Sequence, residues 1–328
     1  MKSLIGNLLL LAISLTIVFA ISEVASRYVS PISPGPSIVD MQGNKQKISY
    51  IQANNRFRIV TPDYDAVTTI TRDGYRAPAA KGNPDVIFLG DSFTYSQGVD
   101  DDQAFAAIYC KEKNLNCANL AVPGSSTLYE VDRLEHFIKN KQWRPKKVHF
   151  FFFTGNDFSD NLDAHEKRSN GQSYEPVELN IDSVNNEQKS ITKKIIGFGL
   201  KQSNLLRIAY YKVLPIFRND PEKAQQELTK ALQITQSELL RLDCLSKEFA
   251  FDYQLYVIFS APEISHEKSQ DLGDKLQAIS NKKMIMLSDL FKDNTKDYFF
   301  PSDGHYSVAG NKKLAEFLIT TPNKSRME

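Results

Sequence analysis

The alternation of apolar and polar positions divides the chain into three stretches of different character. From Leu4 to Ile21 every residue is apolar except Gly6, Asn7, Ser14 and Thr16. That run reaches the lower limit for a bilayer-crossing helix, which needs roughly 17 to 25 residues. Val18-Phe19-Ala20 also has the form of a signal-peptide cleavage site. Residues 1–27 are therefore read as a transmembrane anchor or a signal peptide, and both readings export the rest of the chain. Lys2 and the amino terminus favour a cytoplasmic start, although Arg27 on the far side weakens the asymmetry. Residues 28–49 are rich in Pro and Ser, show no sustained period and read as a tether.

From Tyr50 onward the pattern is that of a folded domain, expected to run to residue 322. Asp65 to Thr71 predicts a strand, with Arg72-Asp-Gly74 as its turn. Short apolar runs follow at Val86–Leu89, Ala118–Val122, Val148–Phe153, Tyr253–Phe259 and Met284–Leu287, each too short for a helix. Between them lie helical periods. One carries Leu128, Val131, Leu134 and Ile138 after a Thr127-x-x-Glu130 capping box, and stops before Pro145. A longer one starts with Asp220 as N-cap and Pro221 in the first turn, and carries Ala224, Leu228, Leu232, Leu239, Leu242, Leu245 and Phe249 as its apolar stripe. Strands alternating with helices imply an α/β fold of three layers around a five-stranded, mainly parallel sheet, because parallel neighbours need crossovers that place helices on both faces. Residues 158–219 are too long for an ordinary connection and read as an insertion with a helical run from Ile195 to Phe217, suited to a lid or a protein-partner surface.

Composition narrows the function. The 328 residues are 41% hydrophobic, enough for a substantial core, and 40 Lys and Arg balance 39 Asp and Glu to a net charge of +1. No basic excess points to nucleic acid. Export permits disulfides, and Cys110 and Cys117 flank a turn across which they can pair; the odd count with Cys244 leaves three reduced thiols as the other reading. No Cys/His cluster has zinc-ligand spacing.

In parallel α/β sheets catalytic groups gather at the carboxyl ends of strands. Those positions hold Gly90-Asp91-Ser92-Phe93-Thr94, Pro123-Gly124-Ser125 and Gly155-Asn156-Asp157, with Asp303-Gly304-His305 near the C-terminus. A serine that attacks a carbonyl, a histidine that takes its proton and a carboxylate that orients the histidine make an acyl-transfer set. Backbone N–H groups of Ser92 and Gly124 and the Asn156 amide are candidate donors to the developing oxyanion. Asp157 reads first as a helix cap, and His136, His149, His165 and His266 have no partner motif and read as structural or exposed.

These blocks, in this order, resemble the SGNH/GDSL hydrolase superfamily from about Pro84 to Leu318, and the resemblance implies a flavodoxin-like sandwich. By position it implies Ser92 as nucleophile and first oxyanion donor, Gly124 and Asn156 as the other donors, and His305 as base. The family usually places Asp three residues before His. Here Ser302 holds that position and Asp303 stands two before, an arrangement that occurs among related bacterial envelope polysaccharide acetyltransferases. Either Asp303 orients the imidazole, or a backbone carbonyl near Ser302 does so while Asp303 caps the following helix.

The expectation is an extracytoplasmic serine esterase or O-acyl transferase working through an acyl-Ser92 intermediate. Its substrate is a small-molecule ester or an acylated envelope polysaccharide, the membrane is engaged through the N-terminal segment, and no metal or organic cofactor is called for. The alternative is a catalytically silent, glycan-binding or scaffolding module of the same fold.

Overall fold

A computed structural model describes residues 2–46, 49–174, 191–214, 220–265 and 268–321. Five parallel strands form the central sheet: β4 (Val86–Leu89), β5 (Cys117–Asn119), β6 (Lys147–Phe153), β7 (Asp252–Ile258) and β8 (Met284–Met286), in the order β5-β4-β6-β7-β8. Side chains alternate across it. Ile87 and Leu89 of β4 face one side with Val148, Phe150 and Phe152 of β6, while Val86 and Phe88 face the other with Phe151 and Tyr256. Both faces are covered, which is why these strands read as continuous apolar runs.

The helices, in chain order, are α1 (Lys2–Val29), α2 (Ser92–Tyr95), α3 (Phe105–Lys113), α4 (Thr127–Asn140), α5 (Asp157–Ser169), α6 (Ile191–Gln202), α7 (Asn204–Ile208), α8 (Pro221–Phe249), α9 (Ala261–Ser265), α10 (Lys268–Ala278), α11 (Ser288–Phe291), α12 (Thr295–Tyr298) and α13 (Val308–Thr320), with a π-helical turn at Ala209–Val213. On one face of the sheet α4 packs against α8, and on the other α3 packs against α13.

Several local expectations change. The N-cap of α4 is Ser126, whose side chain accepts from Tyr129 N; Thr127 is already helical, and buried Glu130 accepts from Ser125 Oγ (2.7 Å) instead of closing a capping box. Asp220 does cap α8, accepting from Glu222 N and Lys223 N. The α8 stripe is buried only where the sheet lies beneath it: Leu239, Leu242 and Leu245 are buried, whereas Ala224 is exposed. Phe158–Ser169 belongs to α5, which packs against α4 and α8, so the departure from the α/β framework begins after it. Residues 175–190 and 215–219, including Phe217, lie outside the described residues, as do His266 and Pro322.

The segment read as a tether carries structure. Ser37–Val39 is a strand, β1, paired antiparallel with β2 (Asn55–Val60), which pairs in turn with β3 (Asp65–Ile70). Ile38, Phe57, Ile59 and Ile70 bury one face of this small sheet against Tyr95, Ala121, Val122 and Tyr129 beside the carboxyl end of the main sheet. Three residues are too few to show a period, so the alternation gave no sign of β1. Cys110 and Cys117 are joined (S–S 2.10 Å), and Cys244 is free and exposed.

Candidate active site

Ser92 stands where β4 turns into α2. The preceding glycine makes this turn feasible: Gly90 has φ +150°, and a Cβ there would collide with Thr94 Oγ1 and lie 2.9 Å from Phe151 O. Asp91 caps α2, accepting from Phe93 N at 2.9 Å, and this leaves the half-buried Ser92 at the positive end of a short helix. His305 arrives from the other side, on the loop between Phe299 and Tyr306. Those two residues form an antiparallel bridge, and Phe300 N donates to His305 O at 2.8 Å.

The two elements meet. Ser92 Oγ lies 2.7 Å from His305 Nε2, and His305 Nδ1 is hydrogen-bonded to Asp303 Oδ1. Phe93 packs against the imidazole with ring centroids 4.9 Å apart. The helix after the histidine is capped by Ser307, whose Oγ accepts from Gly310 N, so the capping role considered for Asp303 is already filled.

The remaining positions follow from strand order. Gly124 and Asn156 come after β5 and β6, the two neighbours of β4, and so flank the turn that carries Ser92. Gly124 is exposed, adopts φ +72°, and has open space where a Cβ would stand, which leaves room for a substrate. Asn156 Nδ2 donates to Asp160 Oδ2 (2.6 Å), one helical turn along α5, which occupies one of its two N–H bonds. Asp157 is the first residue of α5, not its cap; it is buried and accepts from Phe153 N. His149 is also buried, hydrogen-bonded to Tyr256 Oη at 3.0 Å, and burial lowers its pKa to about 3, so it stays neutral.

Three residues around this site gave no sequence signal of their role. Asp63, in the β2–β3 turn, accepts through Oδ2 from Ser302 N (2.9 Å), Ser302 Oγ (2.7 Å) and Asp303 N (2.8 Å), fixing the loop that carries Asp303 and His305. Tyr64 packs on Phe300 with centroids 4.8 Å apart. Burial, and then the nearby Asp303 carboxylate, push its phenol well above the ordinary range, so it remains a protonated donor. Arg76 is fully buried and donates to Ser96 O (2.7 Å), Val99 O (2.6 Å) and Asp101 Oδ1 (3.3 Å), pinning the chain just after α2. A turn aspartate and a lone arginine have local explanations, and their partners lie far along the chain.

Beneath the site is a set of acids. Burial raises the pKa of Asp91, Glu130 and Asp157, and brings that of Asp160 to about 7 from an ordinary 3.8. Between those two values the folded chain keeps a proton on Asp160 that the unfolded chain has released. Stability must therefore fall as pH rises through that interval. Asp160→Asn, which retains an acceptor for Asn156, is expected to show a shallower decline of Tm between about pH 4 and 7 than the parent. Equal slopes would assign the dependence to other groups.

A family model described as GDSL-like Lipase/Acylhydrolase matches residues 86–318. The chain belongs to this family, and it is an ester hydrolase by class. Among solved structures it is similar to TesA (12% identity, TM-score 0.40, covering 70% of this chain and 93% of that one). It is also similar to an acetylxylan esterase, Axe2, from Geobacillus stearothermophilus (12%, 0.38, 74% and 94%) and to a carbohydrate esterase (14%, 0.39, 87% and 84%). Likeness at this level says nothing of substrate. No curated protein matches the chain.

Proposed function

We propose that the protein is an extracytoplasmic serine esterase or O-acyl transferase that forms an acyl-Ser92 intermediate. The observation that carries this reading is the continuous chain Ser92 Oγ, His305 Nε2, His305 Nδ1, Asp303 Oδ1. His305 takes the hydroxyl proton as Ser92 attacks the ester carbonyl. Asp303 holds the Nδ1–H tautomer and stabilises the imidazolium, and the imidazolium then protonates the departing alkoxide. The Ser92 and Gly124 backbone N–H groups and the second Asn156 N–H are the donors assigned to the oxyanion. Water as acceptor then releases the acid, whereas a sugar hydroxyl carries the acyl group onward.

Location and substrate belong to the same reading. The most apolar window of α1 has a mean hydropathy of 2.4 and no part of it is buried by protein, and the helix continues unbroken past Ala20 to Val29, with Glu23 bonded to Asn204 at the start of α7 and Arg27 to Gln202 at the end of α6. Such integration favours a retained anchor over a cleaved signal. The Cys110–Cys117 disulfide fits an oxidising compartment. An anchored esterase outside the cytoplasm meets acylated envelope carbohydrate first, and that is the substrate class assigned. A membrane-impermeant fluorophosphonate applied to intact cells or spheroplasts tests nucleophile and side together: the expected adduct is on Ser92. Labelling seen only after lysis would remove the location, and none under either condition would leave the silent binding module as the better account.

The same reading gives Asp63 a positioning role. Asp63→Ala leaves Ser302 N and Asp303 N without their acceptor, so kcat is expected to fall by about ten- to a hundredfold with little change in KM, the cost of an acid held out of line. Asp63→Asn, which keeps one acceptor oxygen, should restore most of the rate. Equal losses in both variants would point to the charge of Asp63 and not to loop placement.

A further inference from the structure

Among the described residues outside α1, nine large apolar side chains are exposed, and six of them fall between residues 196 and 213: Ile196, Phe198, Leu206, Tyr210, Tyr211 and Val213. Scattered singly they would need no account; concentrated in one short stretch they form a patch of the kind that marks an interaction surface. Where the patch stands is fixed by α1. Two residues past Ile21, the end of the apolar run, Glu23 accepts hydrogen bonds from Ser203 Oγ (2.8 Å), Asn204 N (2.8 Å) and Leu205 N (3.1 Å), taking the N-terminus of α7 onto its carboxylate. Asn204 Nδ2 donates to Ser26 Oγ and Ser30 O at 3.0 Å each, Arg27 Nη2 donates to Gln202 O, and Lys212 Nζ donates to Ser30 Oγ at 2.8 Å. With a rise of 1.5 Å per residue, Glu23 is only about 3 Å beyond the last apolar residue of α1. The start of α7 is therefore held level with the edge of the hydrocarbon that α1 would enter.

We propose that α6, α7 and the following π-helical turn lie in the interfacial layer of the bilayer that α1 spans, with their exposed apolar side chains among the lipid headgroups and upper chains. The inference rests on the anchored reading above. Short apolar-faced helices bury one side at this depth, and tyrosine favours the interface because its ring is apolar and its hydroxyl is not. Continuity with α1 selects lipid over a protein occupant, since any partner covering the patch would have to share the membrane surface with the anchor.

The test uses the full chain in a Cys244→Ser background, reconstituted into vesicles of phosphatidylethanolamine and phosphatidylglycerol. An environment-sensitive fluorophore is attached singly at Leu10→Cys, Phe198→Cys, Tyr211→Cys or Lys146→Cys. Lys146 is exposed at the start of β6, the end of the sheet opposite the catalytic loops. Lipids with quenchers shallow in their chains are expected to quench residues 198 and 211, lipids with quenchers deep in their chains to quench residue 10, and neither to affect 146. Retained fluorophosphonate labelling of Ser92 shows that each variant is folded. Quenching at 10 without quenching at 198 and 211 overturns the inference while the anchor stands. Protection at 198 that varies with protein concentration and not with lipid assigns the patch to a second copy, also overturning it. Absence of quenching at residue 10 defeats the anchored reading and this inference together.

Discussion

Ser92→Ala is expected to lower kcat/KM on an activated ester such as p-nitrophenyl acetate by at least about a thousandfold, with the fold unchanged. Ser92 Oγ is half-buried and makes no packing contact on which the core depends; its partners are His305 Nε2 (2.7 Å) and, more distantly, Asp91 Oδ2 (3.4 Å). His305→Ala should cost about as much, because a serine without its base is a poor nucleophile. The decisive measurement is the double variant. Groups that act as one unit lose their whole contribution when either is removed, so Ser92→Ala/His305→Ala should be no slower than the slower single variant. A double variant slower by the product of the two single losses would mean that serine and histidine contribute independently.

Asp303→Asn is expected to reduce turnover by about ten-thousandfold, the scale seen when a triad loses the group that sets its histidine tautomer. An asparagine can present its amide N–H to Nδ1, which favours the ring form with Nε2 protonated and so unable to accept from Ser92. Stability should barely change. The bond from Asp63 to this position goes to the Asp303 backbone N–H, which the substitution retains, and the next helix takes its cap from Ser307. Turnover close to the parent value in a folded Asp303→Asn protein would reduce the set to a Ser92–His305 dyad. The two-residue spacing from acid to histidine thus becomes a question of loop shape. In the structure Ser302, at the position where the family usually carries its acid, is bonded through its side chain to Asp63, while Asp303 turns to the imidazole.

How much of this was legible in the sequence depended on the range of the forces involved. β4 and β6 were readable almost to the residue because strands covered on both faces leave unbroken apolar runs such as Val86–Leu89 and Val148–Phe153. The first three site blocks were readable because each follows such a run, whereas Asp303-Gly304-His305 lies beyond the last strand and two short helices and was readable only from its residue types. The α4 cap was misplaced by one residue, since Ser126 and Thr127 are both competent and only the burial of Glu130 decides between them. β3 was read from the run Asp65 to Thr71, but its partners β1 and β2 were the larger omission. β1 has three residues and owes its place to pairing with β2, and Asp63 meets Ser302 and Asp303 across 239 and 240 positions. Contacts of that span leave no periodicity. β1, β2 and Asp63 also lie outside the matched family region, which begins at residue 86, so the blocks marked the candidate groups without marking what holds them.

One backbone bond links the anchor to the chemistry. Ser33 N donates to Ser302 O at 2.8 Å, and Ser33 is only four residues beyond Val29, the end of α1. From Ile21 to Val29 the helix rises about 12 Å, and four extended residues add at most about 14 Å, so in the anchored protein the acid's loop stands no more than about 26 Å above the hydrocarbon. On the anchored reading proposed above, an arm that short, bonded at both ends, would let the enzyme drift across the membrane but not away from it. On that reading it would act as a ruler: acyl groups within one narrow height band would be open to attack, and the envelope polymer proposed as substrate would be edited only along the part that passes through that band.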